Sequence, residues 1–266
     1  MNSSFYEKFI SGRGYLIPRP LENLGVRAGF TMRLGGVSHG SISGYNFGFR
    51  VGDSSADVLE NYRLLAGDMG FDLKKTVCAR QTHTDNIRAV SCDDGGKGIF
   101  QLESDIVDTD ALVTDRRGMA LIVFTADCTP VLLYDPQRGA VAAVHAGWRG
   151  TVKNIAGKAV QKMCSEFGSR PQDILAAIGP SIGPCCFEIG GDTAALFEDK
   201  YLTELSGGKF RADLWSLNRD LLKNEGVQPE NIHISEVCTM CSADKYYSYR
   251  THKEHTGRQV AFIVLP

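Results

Sequence analysis

The stretch that decides the fold is MALIVFTADCTPVLLYDPQRGAVAAVHAGWRGT, residues 119–151. It contains three short apolar runs, at residues 119–126, 130–134 and 140–144. Runs of this length, bounded by turn residues, are typical of strands that are buried on both faces or lie in a sandwich core. Over residues 151–167 the apolar side chains then recur at helical spacing, and Gly168 ends the run. The centre of the chain is therefore predicted to be strands followed by a covering helix.

The flanking sequence extends this pattern in both directions. Ser54 offers an N-cap for a helix over residues 54–69, whose apolar side chains share one face. Further strands are predicted at residues 25–33, 174–178, 232–237 and 259–265, and further helices at 193–201 and 213–224. This mixture predicts an α/β fold, in which a single-domain layered sandwich over residues 1–266 has a mixed sheet covered by helices.

Composition excludes several classes of function. The 266 residues are 43% hydrophobic, which is enough to bury a large core, and the net charge is −2. No overall basic field would attract nucleic acid or an anionic membrane, so any anion site is expected to be local. The apolar run at 119–126 is too short to span a bilayer, and the first residues resemble no signal peptide. We therefore expect a cytoplasmic protein with reduced thiols, no nucleic-acid or membrane partner and no obligate protein partner.

Three side chains that suit a transition metal follow apolar runs. Cys128 lies in TADC, His145 in VHAGWRG and His83 in RQTHTDN. If the strands are neighbours, these residues meet at the C-terminal ends of strands, where open α/β sheets place their ligand crevice. Two histidines and one cysteine would leave one position of a tetrahedral zinc ion open for water, as in catalytic sites. The alternative is that Cys128 is a small buried apolar residue and that each histidine is an ordinary polar group.

Charged residues near these motifs are candidates for substrate contacts. Thr151 can cap the predicted helix, which would place Arg149 beside an anion-binding helix end. Arg33 precedes a pair of glycines, and the loop NFGFRVGD at 46–53 contains Asn46 and Arg50. The hypothesis is that Arg33, Asn46, Arg50 and Arg149 bind phosphate or substrate, although Arg149 could instead pair with a surface carboxylate.

Asp127 directly precedes Cys128 and is the candidate catalytic acid or base, together with Cys128 and Arg149 as catalytic residues. It could equally orient a metal ligand or be an ordinary carboxylate in a turn. A second cysteine motif, CTMC at 238–241, has zinc-knuckle spacing. Its partner could only be Cys185 and Cys186, and adjacent cysteines do not form a CxxC half-site, so no structural zinc is predicted there.

Several motifs together resemble the laccase-domain, or polyphenol-oxidase-like, family. They are QTH at 81–83, DALVTD at 110–115, TADCTPVLLYD at 125–135, AAVHAGWRGT at 142–151, IGPSIGPCCFEIG at 178–190 and SYR at 248–250. The resemblance extends from TMRLGGVS at 31–38 to GRQVAFIVL at 257–265. It departs from the family pattern at Thr84, where glycine is common, and at Tyr62 and Thr251, where arginine is common. These differences leave the metal set intact and bear on substrate preference.

The resemblance implies a single-domain α/β sandwich with zinc held by His83, Cys128 and His145. It also implies phosphorolysis of adenosine, inosine and methylthioadenosine to free base and ribose 1-phosphate, with adenosine deaminase activity. The older family name reflects copper-dependent phenol oxidation, and some bacterial members are assigned to editing of peptidoglycan precursors as amidases.

Three other hypotheses stay open from the sequence. Cys128 could be a nucleophile activated by His145 in a thiol hydrolase. The chain could be an interaction protein with a structural zinc ion. Copper oxidation ranks lowest, because only one two-histidine, one-cysteine set is visible and multicopper oxidation needs several sites.

Overall fold

The computed structural model describes residues 4–100 and 105–266, whose strands form three sheets. The strands are β1 Phe5–Ile10, β2 Arg13–Pro18, β3 Arg27–Thr31, β4 Thr76–Cys78, β5 Ile87–Ala89, β6 Ala111–Thr114, β7 Ala120–Thr125, β8 Thr129–Asp135, β9 Ala140–Ala146, β10 Leu175–Ile178, β11 Glu188–Gly190, β12 Leu202–Leu205, β13 Lys209–Ala212, β14 Ile232–Ile234 and β15 Gln259–Val264. The helices are α1 Arg19–Glu22, α2 Ser55–Met69, α3 Trp148–Val152, α4 Ile155–Phe167, α5 Gly191–Ala194, α6 Leu214–Asn224 and α7 Tyr249–His252.

Two six-stranded mixed sheets form the body of the molecule. The first has the order β1-β2-β3-β15-β7-β4, and the second has the order β14-β10-β8-β9-β6-β5. In each sheet most neighbours are antiparallel, whereas β4 with β7, β5 with β6 and β10 with β14 pair in parallel. A small antiparallel sheet with the order β11-β13-β12 shares no strand pairing with the two large sheets. The α/β class predicted from sequence is confirmed, but the single mixed sheet is replaced by these three sheets.

Side-chain alternation along the strands explains how the layers pack. In β9, Val141 and Ala143 join the core between the two large sheets, whereas Ala142 and Val144 pack with α4 on the other face. In β7, Leu121 and Val123 enter the same central core, while Ile122 faces the layer that contains α2. Because successive side chains of a strand point to opposite faces, His145 shares the inter-sheet face of Val141 and Ala143.

The predicted helix over residues 151–167 is divided in two. Asn154 adopts a left-handed conformation with φ of 64°, and its side chain caps α4 by accepting from the N–H of Gly157. Thr151 is therefore not an N-cap. It lies inside α3, whose N-cap is Gly147, and its hydroxyl donates to the carbonyl of Ala146 at 3.1 Å. The helix begins closer to His145 than the sequence predicted.

Other predicted elements are confirmed with shorter bounds. The helix predicted at 193–201 is only α5, Gly191–Ala194, and a separate 3-10 turn at Asp199–Tyr201. The strand predicted at 232–237 ends at Ile234. No helix in residues 4–100 and 105–266 is long and apolar enough to cross a membrane.

Candidate metal centre

The antiparallel pair β8 and β9 brings Cys128 next to His145. The register pairs Thr129 with Ala146 and Pro130 with His145. Cys128 directly precedes Thr129, so the start of β8 lies beside the end of β9. The sequence analysis assumed that the strand before Cys128 neighbours the strand before His145. The structure instead places β7 and β9 in different sheets, and β8 supplies the contact.

His83 is carried by a loop that two side chains hold in place. Gln81 donates to the carbonyl of Phe124 at 2.9 Å and accepts from its N–H at 2.7 Å, which fixes the loop to the end of β7. The carboxylate of Asp110 accepts hydrogen bonds from the backbone N–H groups of Thr82, His83 and Thr84 at 3.2, 3.1 and 2.8 Å. His83 itself has φ of 64°, a left-handed conformation that these bonds stabilise.

The three predicted ligands meet. One ligand atom from each of His83, Cys128 and His145 lies within 4.8 Å of the other two. The Cys128 Sγ to His83 Nε2 distance is 3.8 Å, and the two imidazole ring centroids are 5.0 Å apart with an interplanar angle of 77°. Zn–S and Zn–N bonds of about 2.3 and 2.0 Å give an S to N separation of about 3.6 Å in a tetrahedron. The donor set therefore fits a small tetrahedral divalent ion.

Asp110 orients His145 for that role. Its Oδ1 lies 2.7 Å from Nδ1 of His145, and both side chains are buried. With Nδ1 protonated and bonded to Asp110, the other ring nitrogen is available as a ligand, which is the usual arrangement for metal-binding histidines. The sequence analysis quoted Asp110 only as part of the DALVTD motif and did not assign it a role in the site.

The charges of these groups are strongly coupled. Burial alone would raise the pKa of Asp110, but the hydrogen bond and charge of His145, with the N–H groups of Thr84 and Thr82, lower it to about 2. Burial lowers the pKa of His145, yet the Cys128 thiolate and Asp110 raise it to about 9. Burial also raises the pKa of Cys128, and the two histidines lower it to about 6. These shifts favour the thiolate form of Cys128 and the protonated form of His145 near neutral pH, so that the proton on the second ring nitrogen of His145 must leave before that nitrogen can bind an ion.

A cavity of about 460 Å³ opens beside the three ligands. Aromatic and basic side chains form much of its lining. The aromatic ones are Phe49, Phe124 and Tyr249, and the basic ones are Arg50, Arg80 and Arg258. This size lies within the range of small-molecule sites. Planar apolar surfaces and guanidinium groups suit a ligand that combines a flat ring with an anion.

Of the four predicted substrate residues, Arg50 lines the cavity and the other three do not. Arg33 donates to the carbonyls of Ala243 and Ser43 and lies over the ring of Tyr247 at 4.8 Å. Arg149 lies over the ring of Trp148 at 4.2 Å. These two arginines therefore have structural neighbours outside the cavity.

Asn46 holds parts of the cavity wall in place but does not itself line the cavity. It is fully buried, donates to Asp53 at 2.7 Å, and its Oδ1 accepts from the N–H groups of Gly48 and Arg258 at 3.0 and 2.8 Å. Both of these backbone segments line the cavity. The predicted binding residue thus positions two segments of the wall without lining it.

Asp127 is an anchor for neighbouring segments in this structure. It has a left-handed φ of 84°, its Oδ1 accepts from the hydroxyl of Thr239 at 2.6 Å, and its Oδ2 accepts from the N–H of Arg250 at 2.6 Å. It is buried and does not line the cavity. Its assignment as a catalytic acid or base stays a prediction from sequence, since its hydrogen bonds in this structure hold the segments of Thr239 and Arg250 in place.

Sequence reasoning missed Arg80, Arg258 and Tyr249 as cavity residues. Arg80 directly precedes the QTH motif, and Tyr249 lies in the SYR motif, so both adjoin sequence motifs already singled out. Arg258 lies in the closing GRQVAFIVL segment, which the resemblance also included but to which no role was given. Burial lowers the pKa of Arg258, and the nearby Cys128 charge opposes that effect.

A second group of side chains that could hold a metal ion lies elsewhere in the described residues. The sulfurs of Cys185, Cys186, Cys238 and Cys241 lie within 4.8 Å of one another. The adjacent pair and the CTMC turn are thus brought together, because the fold places the two loops side by side.

Comparison with known proteins gives consistent matches along the chain. The family model described as multi-copper polyphenol oxidoreductase laccase matches residues 27–266. The purine nucleoside phosphorylase YlmD of Geobacillus stearothermophilus is 37% identical over 246 residues, which are 90% of each protein. Adenosine deaminase RL5, from an unknown prokaryotic organism, is 36% identical over 241 residues, covering 88% of this chain and 92% of that protein. The crystal structure of the hypothetical protein YfiH of Bacillus licheniformis has a TM-score of 0.93 at 34% identity and covers 100% of both chains.

Proposed function

The chain belongs to the multi-copper polyphenol oxidoreductase laccase family of enzymes, and from that premise we propose that it is a metal-dependent purine nucleoside phosphorylase with adenosine deaminase activity. The proposed substrates are adenosine, inosine and methylthioadenosine, with phosphate as co-substrate. Support comes from relatives that are named purine nucleoside phosphorylase and adenosine deaminase. Their alignments cover 90% and 88% of this chain. We further propose that residues 1–266 form one catalytic domain that acts on small molecules in the cytoplasm without an obligate protein partner.

The observation that carries the proposal is the position of the metal ligands. His83, Cys128 and His145 line the same cavity as three aromatic side chains and three arginines. A nucleoside offers a flat base for the aromatic surfaces, and phosphate offers oxygens for the guanidinium groups. An ion held by three protein ligands would keep one position toward the cavity, as catalytic zinc sites do.

We propose zinc as the resident ion. Cys128 Sγ and His83 Nε2 would hold it, together with the nitrogen of His145 that is not bonded to Asp110. When bound, such an ion supplies Lewis-acid stabilisation of developing negative charge and lowers the pKa of bound water. Copper is the alternative ion, because two-histidine, one-cysteine sets also suit copper. Within residues 4–100 and 105–266, however, this is the single clustered set that contains histidine.

In phosphorolysis, a phosphate oxygen forms a bond to C1′ of the ribose while the bond from C1′ to the purine nitrogen breaks. The electron pair of the broken bond moves to the base. Arg50, Arg80 and Arg258 are the groups of this chain that would hold and orient the phosphate, since they line the cavity. Their positive charges would also stabilise the anionic groups in a site that aromatic walls partly shield from water.

In deamination, water adds to C6 of adenosine and ammonia leaves. The role of the chain is to hold the base so that C6 faces the ligand set, for which Phe49, Phe124 and Tyr249 provide apolar surface. Gln81 positions Phe124 through two hydrogen bonds to its backbone. One cavity could therefore support both reactions, with the orientation of the base and the presence of phosphate selecting between them.

A thiol hydrolase is the second candidate, and one observation favours it. The lowered pKa of Cys128, about 6, beside His145 describes an activated thiolate as well as a metal ligand. In that mechanism the sulfur would attack a carbonyl carbon, the bond from that carbon to the leaving amine or alcohol would break as the leaving group takes a proton, and water would then hydrolyse the thioester and restore the thiol. The ion would be dispensable, and an electrophile would trap the enzyme.

The test is incubation of purified protein of known metal content with adenosine, with and without phosphate, followed by chromatography of the products. Adenine that forms only with phosphate is expected for phosphorolysis, and inosine in both samples is expected for deamination. Cys128→Ala should abolish both products and the metal of this site. Cys92→Ser is the matched control, because Cys92 is exposed and belongs to neither metal-binding group. Full turnover by protein without metal, with trapping of Cys128 by iodoacetamide, would support the thiol mechanism.

A further inference from the structure

Four cysteine sulfurs gather at a place that the proposed reaction does not use. They belong to Cys185, Cys186, Cys238 and Cys241, and we call them the four-cysteine cluster. The Sγ to Sγ distance is 3.4 Å for Cys186 and Cys241 and 3.7 Å for Cys185 and Cys241. None of the four lines the cavity beside His83.

The backbone joins the two loops that carry these sulfurs. Ser181 and Cys238 form a parallel bridge, in which the N–H of Ser181 donates to Val237 at 3.2 Å and the N–H of Thr239 donates to Ser181 at 3.0 Å. The N–H of Ser242 donates to the carbonyl of Cys238 at 3.0 Å, which closes the CTMC turn. The relative position of the two loops is therefore set by main-chain bonds as well as by the cysteines.

Gly183 brings the loops into closer contact. A Cβ at this position would lie 2.7 Å from the ring of Trp215 and 3.2 Å from Cβ of Cys238. The absence of a side chain lets the N–H of Gly183 donate to Sγ of Cys238 at 3.3 Å. Backbone donors of this kind stabilise a thiolate, which is the form of cysteine that binds metals.

The sulfur separations are compatible with a tetrahedral ion. Four Zn–S bonds of about 2.3 Å place the sulfurs about 3.8 Å apart. The distance from Cys185 to Cys241 is close to this value at 3.7 Å, the distance from Cys186 to Cys241 is somewhat shorter at 3.4 Å, and all four sulfurs lie within 4.8 Å of one another. A disulfide would instead need an S–S distance of about 2.05 Å, and it would use only two of the four sulfurs. The mutual approach of all four is explained by one shared ligand.

We propose that the four-cysteine cluster binds one zinc ion, separately from the site of His83, Cys128 and His145. Four protein ligands leave no position for substrate, so the role of this ion is structural. Its binding displaces the thiol protons to solvent and leaves four thiolates around the ion.

The position of the cluster indicates what this ion stabilises. Thr239, which follows Cys238, donates to Oδ1 of Asp127 at 2.6 Å, and the N–H of Ile182 donates to the carbonyl of Asp127 at 2.9 Å. Both loops of the cluster therefore contact the residue that precedes Cys128. The zinc ion would hold these loops against the back of the catalytic centre.

The decisive sample is the His83→Ala variant, because it impairs the first site and leaves the cluster intact. Purified under reducing conditions with zinc present, it should retain about one zinc ion per chain, whereas the unmodified protein should contain one more. X-ray absorption at the zinc edge of this variant should show four sulfur neighbours at about 2.3 Å. Loss of all zinc, or a zinc environment dominated by nitrogen and oxygen, would overturn the proposal. Iron in place of zinc at the four sulfurs would overturn the choice of ion.

A matched pair of variants locates the ion. The double change Cys186→Ser with Cys241→Ser should remove one zinc ion and lower the melting temperature, whereas Cys92→Ser should do neither. If the double variant fails to fold, alkylation of the folded natural protein decides. The exposed Cys185 and Cys241 should resist iodoacetamide until a chelator is added, while the equally exposed Cys92 reacts at once. Equal reaction of these three, or a disulfide within the cluster in reduced samples, would contradict zinc binding. These readouts are independent of the proposed enzymatic activity.

Discussion

At the scale of single residues, Asp110 positions two of the candidate metal ligands without lining the cavity. It is fully buried, bonds to Nδ1 of His145 and accepts from the backbone that carries His83. Its charge therefore fixes the tautomer of one ligand and the position of another.

Asp110→Asn should lower zinc affinity by about 10-fold to 100-fold, because the amide keeps the shape but loses the charge that orients His145. The measurement is competition with a chromophoric chelator in a background that carries Cys186→Ser and Cys241→Ser, so that one site is observed. Asp199→Asn, an exposed position, is the control. An affinity within twofold of the parent protein would contradict the assigned role.

The same centre should make zinc binding depend on pH. His145 has a raised pKa of about 9, so its proton must leave before the ring binds zinc, and affinity falls as pH falls below 9. Cys128 has a pKa of about 6 and is already a thiolate above that pH. Affinity should therefore rise about tenfold per pH unit between pH 6 and 9 and change more steeply below pH 6. A constant affinity from pH 7 to 9 in the same chelator assay would show that His145 is neutral throughout.

How far single residues could be predicted depends on chemical type. His83, Cys128 and His145 could be proposed as metal ligands because few other residue types bind zinc and each follows an apolar run, and the family resemblance implied the same three residues. The role of Asp110 could not be predicted in this way, because its partners at residues 82–84 and 145 are distant in sequence and no periodicity connects them. Arg33 was selected for its charge, but a guanidinium can equally bond carbonyl groups, as it does here.

At the scale of elements, the turn from β9 into α3 forms one wall of the metal centre. Gly147 caps α3 with φ of −61°, a value that any residue adopts. A Cβ there would lie 3.2 Å from Cys128 Sγ, 3.2 Å from Cδ2 of His83 and 3.5 Å from Cε1 of His145. The close contacts around Gly147 thus come from the three candidate ligands, and the backbone conformation itself does not favour glycine.

Gly147→Ala should weaken zinc binding and reduce catalytic efficiency by about tenfold, because the ligands must shift by a few tenths of an ångström. The melting temperature of the metal-free protein should change little. Chelator competition and thermal unfolding measure the two effects. Gly67→Ala, where nothing lies within 4 Å of the added carbon, provides the comparison. Unfolding of the Gly147 variant without a change in zinc affinity would show that the glycine serves the helix instead.

Strand positions were predictable because buried strands give continuous apolar runs. β7 lies within the predicted run at 119–126, whereas β8 and β9 overlap the runs at 130–134 and 140–144 and extend one or two residues beyond them. The division between α3 and α4 was not predicted. Apolar side chains keep helical spacing from α3 into α4, so the sequence pattern does not show where the first helix ends. The available signal was Asn154, since asparagine is among the few residues that adopt a left-handed conformation readily.

At the scale of the whole molecule, the two large sheets pack closely where Gly179 follows β10. The N–H of Gly179 donates to the carbonyl of Pro130 at 2.9 Å, and the ring of Phe30 in the opposite sheet occupies the space of a Cβ. A side chain at this position would push the sheets apart.

Gly179→Ala should therefore lower the free energy of unfolding by about 1–3 kcal/mol, the usual cost of overpacking a core. Urea unfolding monitored by circular dichroism measures it. Gly190→Ala should be nearly neutral, because no atom lies within 4 Å of the added carbon. Equal stability of the two variants would mean that the sheets separate easily at this point.

The α/β class could be predicted from the mixture of periodicities, but the number of sheets could not. A strand buried on both faces looks the same whether a helix or a second sheet covers it. Consecutive strands usually pair, yet β7 and β8 lie in different sheets. The single mixed sheet expected from sequence is therefore divided at this point.

The short crossing from β7 to β8, which contains Cys128, constrains how such a protein can evolve. One inserted residue would lengthen the crossing by about 3.8 Å, more than a whole Zn–S bond of about 2.3 Å. We therefore expect an insertion or deletion at this crossing to separate the three side chains, whereas a change of length in an exposed outer loop should leave them in place. The number of residues between β7 and β8, and not only the identity of the side chains, thus determines whether they can share one ion.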